Sequence, residues 1–420
     1  MRHDLHFLYT KVHHDFKALP QGIKTLVFGF FVYMLAWGII EPFFSIYLHS
    51  VVGNYALAGL FYSILFFTGF AISIPAGGLA GKINKMRYIK FSMLLYPAVG
   101  IFYFLVPMLP RIFSLLVLFL ALVAHGIAAS FWIMVEGFIR EKSPKKETSA
   151  AFGLFITFQR LAYVIGPGFI FFFVVLLPFS FEKINWLFLS LLFFPVVSAF
   201  MVGRISDKGK PIAAGIREVV VKDGVVKKEL KDLNELGFMG GFALLTGFFM
   251  RSIEIVVTFL LPLYALSLNM GLVEIALLFG LVSLPYLSSF FLAELADSFG
   301  KAKAISLGFA LAAVALFFLS FSTEPSATFF ITCLALGFIL ALLQPAVNGL
   351  ITDITPRVQD GEMTGLFSAV LKISGFLTAI LLGFLADFFG LAFPFAVFAI
   401  ILLVMSLLTY LIRGKVVLRI

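Results

Sequence analysis

The stretch GLFITFQRLAYVIGPGF, Gly153 to Phe169, places an arginine inside a run otherwise suited to lipid, with Gly166-Pro167-Gly168 just beyond it. A second stretch, GLFSAVLKISGFLTAIL from Gly365 to Leu381, opens identically and carries Lys372 where the first carries Arg160. An ionisable group within a bilayer span is costly and marks a functional position by default. Two at matching places in two similar helices imply a duplicated architecture. At an offset of 212 the register is gapless: Gly137, Ile139, Pro144, Gly153, Leu154 and Phe155 fall on Gly349, Ile351, Pro356, Gly365, Leu366 and Phe367. Glu141 falls on Asp353 in the same register. Nearer the N-terminus the offset is 216, setting Leu79, Ala80, Lys85 and Ile89 on Leu295, Ala296, Lys301 and Ile305.

The rest of the chain agrees with a membrane setting. Of 420 residues, 61% are hydrophobic, 13% are charged and 55 are Phe, leaving too little polar surface to coat a soluble core. Apolar runs of 18 or more residues recur, each long enough to span a bilayer. Twelve spans are expected near 24–48, 55–80, 88–107, 112–139, 149–177, 184–203, 238–266, 272–294, 304–321, 327–351, 363–386 and 391–412. The fold class is therefore an all-α polytopic membrane protein with twelve transmembrane helices in two pseudo-symmetric six-helix bundles. Residues 1–203 form the N-terminal bundle with a short cytoplasmic helix, 204–237 a cytoplasmic linker, and 238–420 the C-terminal bundle.

Charge placement orients the spans. Only Arg111 and Lys183 lie in the loops of one face, and three more basic residues lie within spans. The remainder of the 31 Lys and Arg lie on the face carrying both termini, which the positive-inside rule makes cytoplasmic. The net charge of +9 is thus a topological signal, and no nucleic-acid partner is needed to explain it. The first 22 residues are mixed and charged, so the first span is expected to be its own insertion signal in the plasma membrane. Leu5, Leu8, Val12, Phe16 and Leu19 form one apolar helical face suited to the membrane interface, with His3, His6, His13 and His14 beside it as solvated groups. In the linker, VVVKDGVVKK (Val219 to Lys228) can form a short hairpin around Asp-Gly. Cys333 is the single cysteine, excluding an intramolecular disulfide framework. No phosphate-binding glycine loop or metal-ligand cluster is found, so no enzyme activity, cofactor or metal is expected.

Two six-helix halves joined by a linker are a transporter architecture, with the site between them near the bilayer midplane. Here the chain resembles the major facilitator superfamily, whose loop signature after the second span is G-x-L-a-D-[RK]-x-G-x-[RK]-[RK]. GGLAGKINKMR supplies Gly77, Leu79, Ala80, Lys82 and Arg87, with Gly81 in place of the acid and Asn84 in place of the second glycine. The second copy, AELADSFGKAK, supplies Asp297, Gly300, Lys301 and Lys303, with Ala293 for the first glycine. The resemblance implies that Asp297 latches a helix N-terminus of the opposite half, while Gly81 leaves the first loop without that acid. Glu141 and Asp353 join these loops as gating candidates. Gly166-Pro167-Gly168 is similar to the core of the fifth-span signature of proton-coupled efflux members, although Ala162 and Phe169-Ile170-Phe171 depart from it. The arginine common in the fourth span of those antiporters would fall at Leu122. A bend with close helix packing also accounts for the cluster.

Embedded polar residues select four helices. The first span carries Tyr33, Trp37, Glu41, Ser45 and His49 at every fourth position, read as one face. The fourth carries His125, Trp132, Glu136 and Arg140; the seventh Arg251, Glu254 and Thr258; the tenth Gln344, Asn348 and Thr352. In the resembled family these four spans line the central cavity. Glu41 lies eight residues from His49, roughly 12 Å deep, and Arg160 about 16 Å into its span at 1.5 Å per residue. Glu41, Glu254 and Glu136 are the proton-coupling candidates. Tyr33, Trp37, His125, Trp132, Arg160, Arg251, Gln344, Asn348 and Lys372 are the substrate-cavity candidates. Arg251 and Glu254 can equally be a helix-stabilising i,i+3 pair, Glu136 a counter-ion to Arg140 or Arg160, and His125 a packing residue.

The expected function is secondary transport by alternating access, coupled to protons, by a monomer in a lipid bilayer. Aromatic walls at Tyr33, Trp37 and Trp132 suit export of amphipathic or cationic solutes. Uptake of an anionic metabolite onto Arg160 and Lys372 is the alternative, alongside a non-transporting sensor or a lipid scramblase.

Overall fold

The computed structural model of the chain describes residues 19–80, 82–143, 148–176, 180–207, 209–212, 237–354 and 360–417. The N-terminal amphipathic segment with its four histidines, the 219–228 hairpin and Gly81 lie outside the described residues.

Eleven helices are long and apolar enough to cross a bilayer, and a pair bent by 61°, Leu272–Ser288 and Phe291–Phe299, makes the twelfth span. The protein is an all-α polytopic membrane protein. Large apolar side chains such as Phe172, Phe193, Phe200, Phe388 and Leu411 stand more than half exposed on its outer surface, where lipid covers them.

Local chemistry sets the ends of the spans. Pro20 precedes the first span, Gln21–Val52, and Gly53 closes it with a left-handed φ of 91° that L-residues seldom adopt. The second span, Tyr55–Ala80, starts at Asn54, whose Oδ1 accepts the Leu57 N–H at 2.7 Å. Asn84 does the same for the third span, Lys85–Leu105, accepting the Arg87 N–H at 2.9 Å. The family-like second glycine is thus replaced by a helix-capping side chain.

The expected spans four, seven and eight are interrupted helices. The fourth is Arg111–Ala128 and Phe131–Lys142, separated by a turn at Ala129 and Ser130. The seventh runs Gly237–Ile255, passes through a π-helical turn at Val256–Leu260 and resumes at Leu261–Ser267. In the eighth, Leu272–Ser283 gives way to a 3-10 segment, Leu284–Ser288, at Pro285 before Ser289–Phe299. The sixth span opens as a 3-10 segment, Phe181–Leu189, before Ser190–Val202, whereas the third, ninth and twelfth carry no such interior break; Ser306 and Ser406 exchange hydroxyl-to-carbonyl hydrogen bonds between the ninth and twelfth.

The halves meet along two antiparallel helix pairs. The second span packs on the eleventh, Asp360–Phe389, from Gly59 against Gly383 down to Ser73, whose hydroxyl lies 3.4 Å from Ser368. The fifth span, Thr148–Leu176, packs on the eighth, where Gly280 admits the Pro167 ring. The first span also meets the seventh beyond its π turn, toward the end holding Val52 and Ser267. At the opposite, basic end lie the ends of spans four and ten, Lys142 and Ile354. Toward the basic end the eleventh span still touches the second part of the fourth, and Ser289–Phe299 touches the fifth.

Candidate functional site

Arg160 points from the fifth span into the opposite half. Its guanidinium lies 3.9 Å over the ring of Tyr286 in the eighth span. Its Nη2 lies 3.7 Å from Glu254 of the seventh span and 3.5 Å from the Gln344 Oε1 of the tenth. Glu254 is 8% exposed and takes a hydrogen-bonded ion pair from Arg251, three residues before it. The i,i+3 pair expected from spacing therefore forms, and Glu254 is also shared with a cation from the other half. Among the described residues, Arg160 has Glu254 as an ion-pair partner. A buried charge left without a partner is strongly unfavourable, and here one carboxylate serves two arginines, so the two cations are only partly compensated within the interface.

Lys372, the repeat mate of Arg160, makes the reciprocal crossing. Its stem packs on Gly69 in the second span, and its Nζ lies 5.8 Å from the centre of the Phe66 ring. Arg251 shares that ring from 5.3 Å. Glu136 and Glu254 both lie within electrostatic reach of Lys372. Each half thus inserts its fifth-position cation against the other half.

Glu41 is partly exposed and lies within electrostatic reach of Arg251, Arg160 and Glu254. Neither a hydrogen bond nor an ion pair within 4 Å holds its carboxylate among the described residues. Tyr62, from the second span, donates its hydroxyl to Thr258 at 3.2 Å in the π turn just after Glu254. Irregular turns at transport sites expose backbone and re-aim side chains, and here the two nearest, in spans seven and eight, flank the charge cluster. Asn348 and Gln344 remain partly exposed on the tenth span.

Tyr33, Trp37 and His125 are not cavity walls. They are 2%, 5% and 5% exposed and pack within the first half. The Trp37 Nε1 donates to the Tyr33 hydroxyl at 2.7 Å, and His125 stacks on Trp37 at 4.6 Å while its Nδ1 lies 3.1 Å from the Tyr103 hydroxyl. The reason is helical pitch. Four residues turn a 3.6-residue helix by about 400°, so an every-fourth series drifts about 40° per step. By Glu41 the series has swung from the bundle core to the interface. In the fourth span, the turn at Ala129 separates His125 from Trp132 and Glu136, which stay partly exposed. The side chains of Arg140 and Thr352 lie outside the described residues.

At the basic end, the loop candidates form two repeat-related pairs. Lys85, 4% exposed, contacts Glu141 at 2.6 Å, and Lys301 contacts Asp353 at 2.6 Å. Partial burial raises the Glu141 carboxyl, but the hydrogen bonds and charges of Lys142 and Lys85 outweigh this and hold it below its ordinary value. Asp297 is mostly exposed and 3.5 Å from Lys301 of its own half, and among the described residues no contact joins it to a helix N-terminus of the other half. Gly77 is buried within the second span, Gly300 has a φ of 88° that separates spans eight and nine, and Lys303 donates its N–H to the Gly300 carbonyl. Lys82 accepts the Lys210 N–H on its carbonyl at 3.0 Å, and Asn84 donates its N–H to the Lys210 carbonyl. Asp207 Oδ2 accepts the Lys85 N–H at 2.7 Å, placing a carboxylate at the N-terminus of the third span. This contact and Tyr286 escape sequence reading. Pro285 signals the break that turns Tyr286 inward, whereas nothing local links Asp207 to the loop.

Two pseudo-symmetric bundles with a charged cluster at their interface define a polytopic carrier of the alternating-access class. The chain belongs to the Major Facilitator Superfamily, whose sequence profile matches residues 26–287 and 284–417. It is 24% identical over 404 residues to an uncharacterised MFS-type transporter of Methanocaldococcus jannaschii, covering 94% of this chain and 98% of that one. Its fold is similar to that of the human organic anion transporter MFSD10, with a TM-score of 0.66 at 12% identity, covering 93% of this chain and all of that one. It is also similar to a POT family transporter in complex with a thioalcohol-conjugated peptide, with a TM-score of 0.72 at 13% identity and coverage of 94% and 97%. The same family bound to 5-aminolevulinic acid gives 0.70 at 14% identity, with the same coverage. The protein is a secondary transporter of this superfamily.

Proposed function

We propose that the protein takes up small organic anions together with protons. The observation that carries this reading is the interface cluster: Arg160, Arg251 and Lys372 converge there, and two of them share the single carboxylate of Glu254. A desolvated cation whose partner is shared attracts an anionic solute. Export of cationic or amphipathic compounds rested on three aromatic residues, and two of them, Tyr33 and Trp37, are buried away from the interface. The name of MFSD10, an organic anion transporter, agrees with the anion reading at the level of fold. Glu41 is the proton carrier in this scheme, because its charge lies within reach of both arginines and its protonation changes the relative stability of the two states. In this scheme the basic face is the cytoplasmic one, in line with the positive-inside rule.

The test is uptake into proteoliposomes under an imposed pH gradient, comparing labelled benzoate with labelled tetraphenylphosphonium. Accumulation of benzoate faster than in protein-free liposomes under the same gradient, collapsing with that gradient, is the expected result. Gradient-driven movement of tetraphenylphosphonium with none of benzoate would restore the cation reading, and no flux of either would favour a sensor.

A further inference from the structure

We infer that Glu254 is an internal stand-in for the carboxylate of the substrate, and that the substrate head group binds at Arg160 between Gln344 and Tyr286. This rests on the anion reading above. The two arginines hold Glu254 unequally. Arg251 makes a close hydrogen-bonded pair with Oε2, whereas Oε1 is 3.7 Å from Arg160, beyond hydrogen-bonding range. The Gln344 contact is at the outer limit at 3.5 Å. The Arg160 Nε is buried and has no hydrogen-bond partner among the described residues. A guanidinium carries five donors in one plane. Here that plane is fixed by the Tyr286 ring at 3.9 Å, so the donor edge is oriented while its bonds are long or unmade.

A carboxylate arriving at that edge can make short, paired N–H···O bonds that Glu254 does not make. Glu254 then keeps Arg251 as its partner, so displacement leaves no uncompensated charge. The exchange also has a mechanical consequence, because Arg160 belongs to the first half and Gln344, Glu254 and Tyr286 to the second. The anion replaces an ion pair between the halves with a bridge made by the ligand itself. An acidic residue that occupies the head-group position competes with substrate, and removing it should tighten binding.

The experiment is a thermal-stabilisation titration of the purified full chain in detergent with benzoate, inorganic phosphate and tetraphenylphosphonium. Benzoate is expected to stabilise the wild type more than phosphate does, and tetraphenylphosphonium not at all. Glu254→Gln should lower the half-saturating benzoate concentration by about tenfold, equivalent to about 1.4 kcal/mol, and Arg160→Gln should abolish the stabilisation. If Glu254→Gln weakens benzoate binding or leaves it unchanged, the stand-in role is overturned while the anion reading stands. Stabilisation by tetraphenylphosphonium alone, or by none of the three, overturns both. Should Glu254→Gln not yield monodisperse protein, Glu254→Asp shortens the reach toward Arg160 by one methylene and retains the charge for Arg251. Tighter benzoate binding in that variant supports the proposal, and equal or weaker binding overturns it.

Discussion

A guanidinium inside a membrane protein persists where fixed groups replace the water it has lost. Arg160 uses a tyrosine face, an amide oxygen and a shared carboxylate, all from the opposite half. Arg160→Lys keeps the charge but loses the planar fork and the stack, so it tests geometry apart from electrostatics. Benzoate flux should fall by about tenfold or more in Arg160→Lys, on the scale of one lost charge-assisted hydrogen bond. Retention of full flux would reduce Arg160 to a point charge. Glu41 answers a different question. Glu41→Gln should abolish pH-driven accumulation while sparing benzoate counterflow, because exchange needs no net proton movement; unchanged driven uptake would remove Glu41 as the carrier. Arg160, Lys372, Glu254 and Glu41 were visible in the sequence because charges in apolar runs are rare. Tyr286 was not, since a tyrosine in a span is ordinary until Pro285 turns it toward a cation.

At the scale of helices, Gly166 and Gly168 flank the same proline but face different surroundings. A Cβ on Gly166 would lie 2.3 Å from the backbone of Gly38, and one on Gly38 would lie 2.4 Å from the Ala162 carbonyl. The first and fifth spans touch backbone to backbone at this crossing, as small residues allow in membranes. A Cβ on Gly168 meets nothing within 4 Å. Gly166→Ala should therefore lower the melting midpoint in detergent, at a cost of about 1–3 kcal/mol for overpacking against unyielding backbone. Gly168→Ala should be neutral or stabilising by up to about 1 kcal/mol through helix propensity. Equal effects from the two would discount the crossing. The sequence offered bend, efflux signature or packing for this cluster, and could not choose, because the partner Gly38 lies in another span. It also misread the face of the first span, since a strict four-residue repeat is straight on paper and spirals on a helix. The interruption in span seven was illegible for a related reason, since a π turn keeps the same apolar composition as the helix around it, whereas Pro285 marks the break in span eight.

For the whole molecule, the conformation depends on how the halves close at the end away from the basic face. Asp387, near the end of the eleventh span, accepts the Tyr55 N–H at 3.3 Å, one of the unpaired donors at the start of the second span. His49 stacks on Tyr55 beside it at 4.4 Å. One turn deeper, Gly59 and Gly383 allow the same two helices to touch, with a Cβ on Gly59 falling 2.3 Å from the Ala379 carbonyl. The charge contributes about 0.3–1 kcal/mol at a helix N-terminus, whereas the steric contact is all or none. Asp387→Asn should then shift the ratio of closed to open states by about two- to fivefold. Gly59→Val should force that end apart. Spin labels at Ser50→Cys and Phe389→Cys, both on exposed positions, read this separation directly. The native Cys333 is buried and leaves the labelling clean. The wild type should give a single short distance, Asp387→Asn a minor longer component, and Gly59→Val a dominant one. If Gly59→Val keeps the short distance, the glycine crossing does not hold this end closed. If it lengthens the distance and Asp387→Asn leaves it unchanged, closure rests on helix packing alone and the carboxylate is incidental to it.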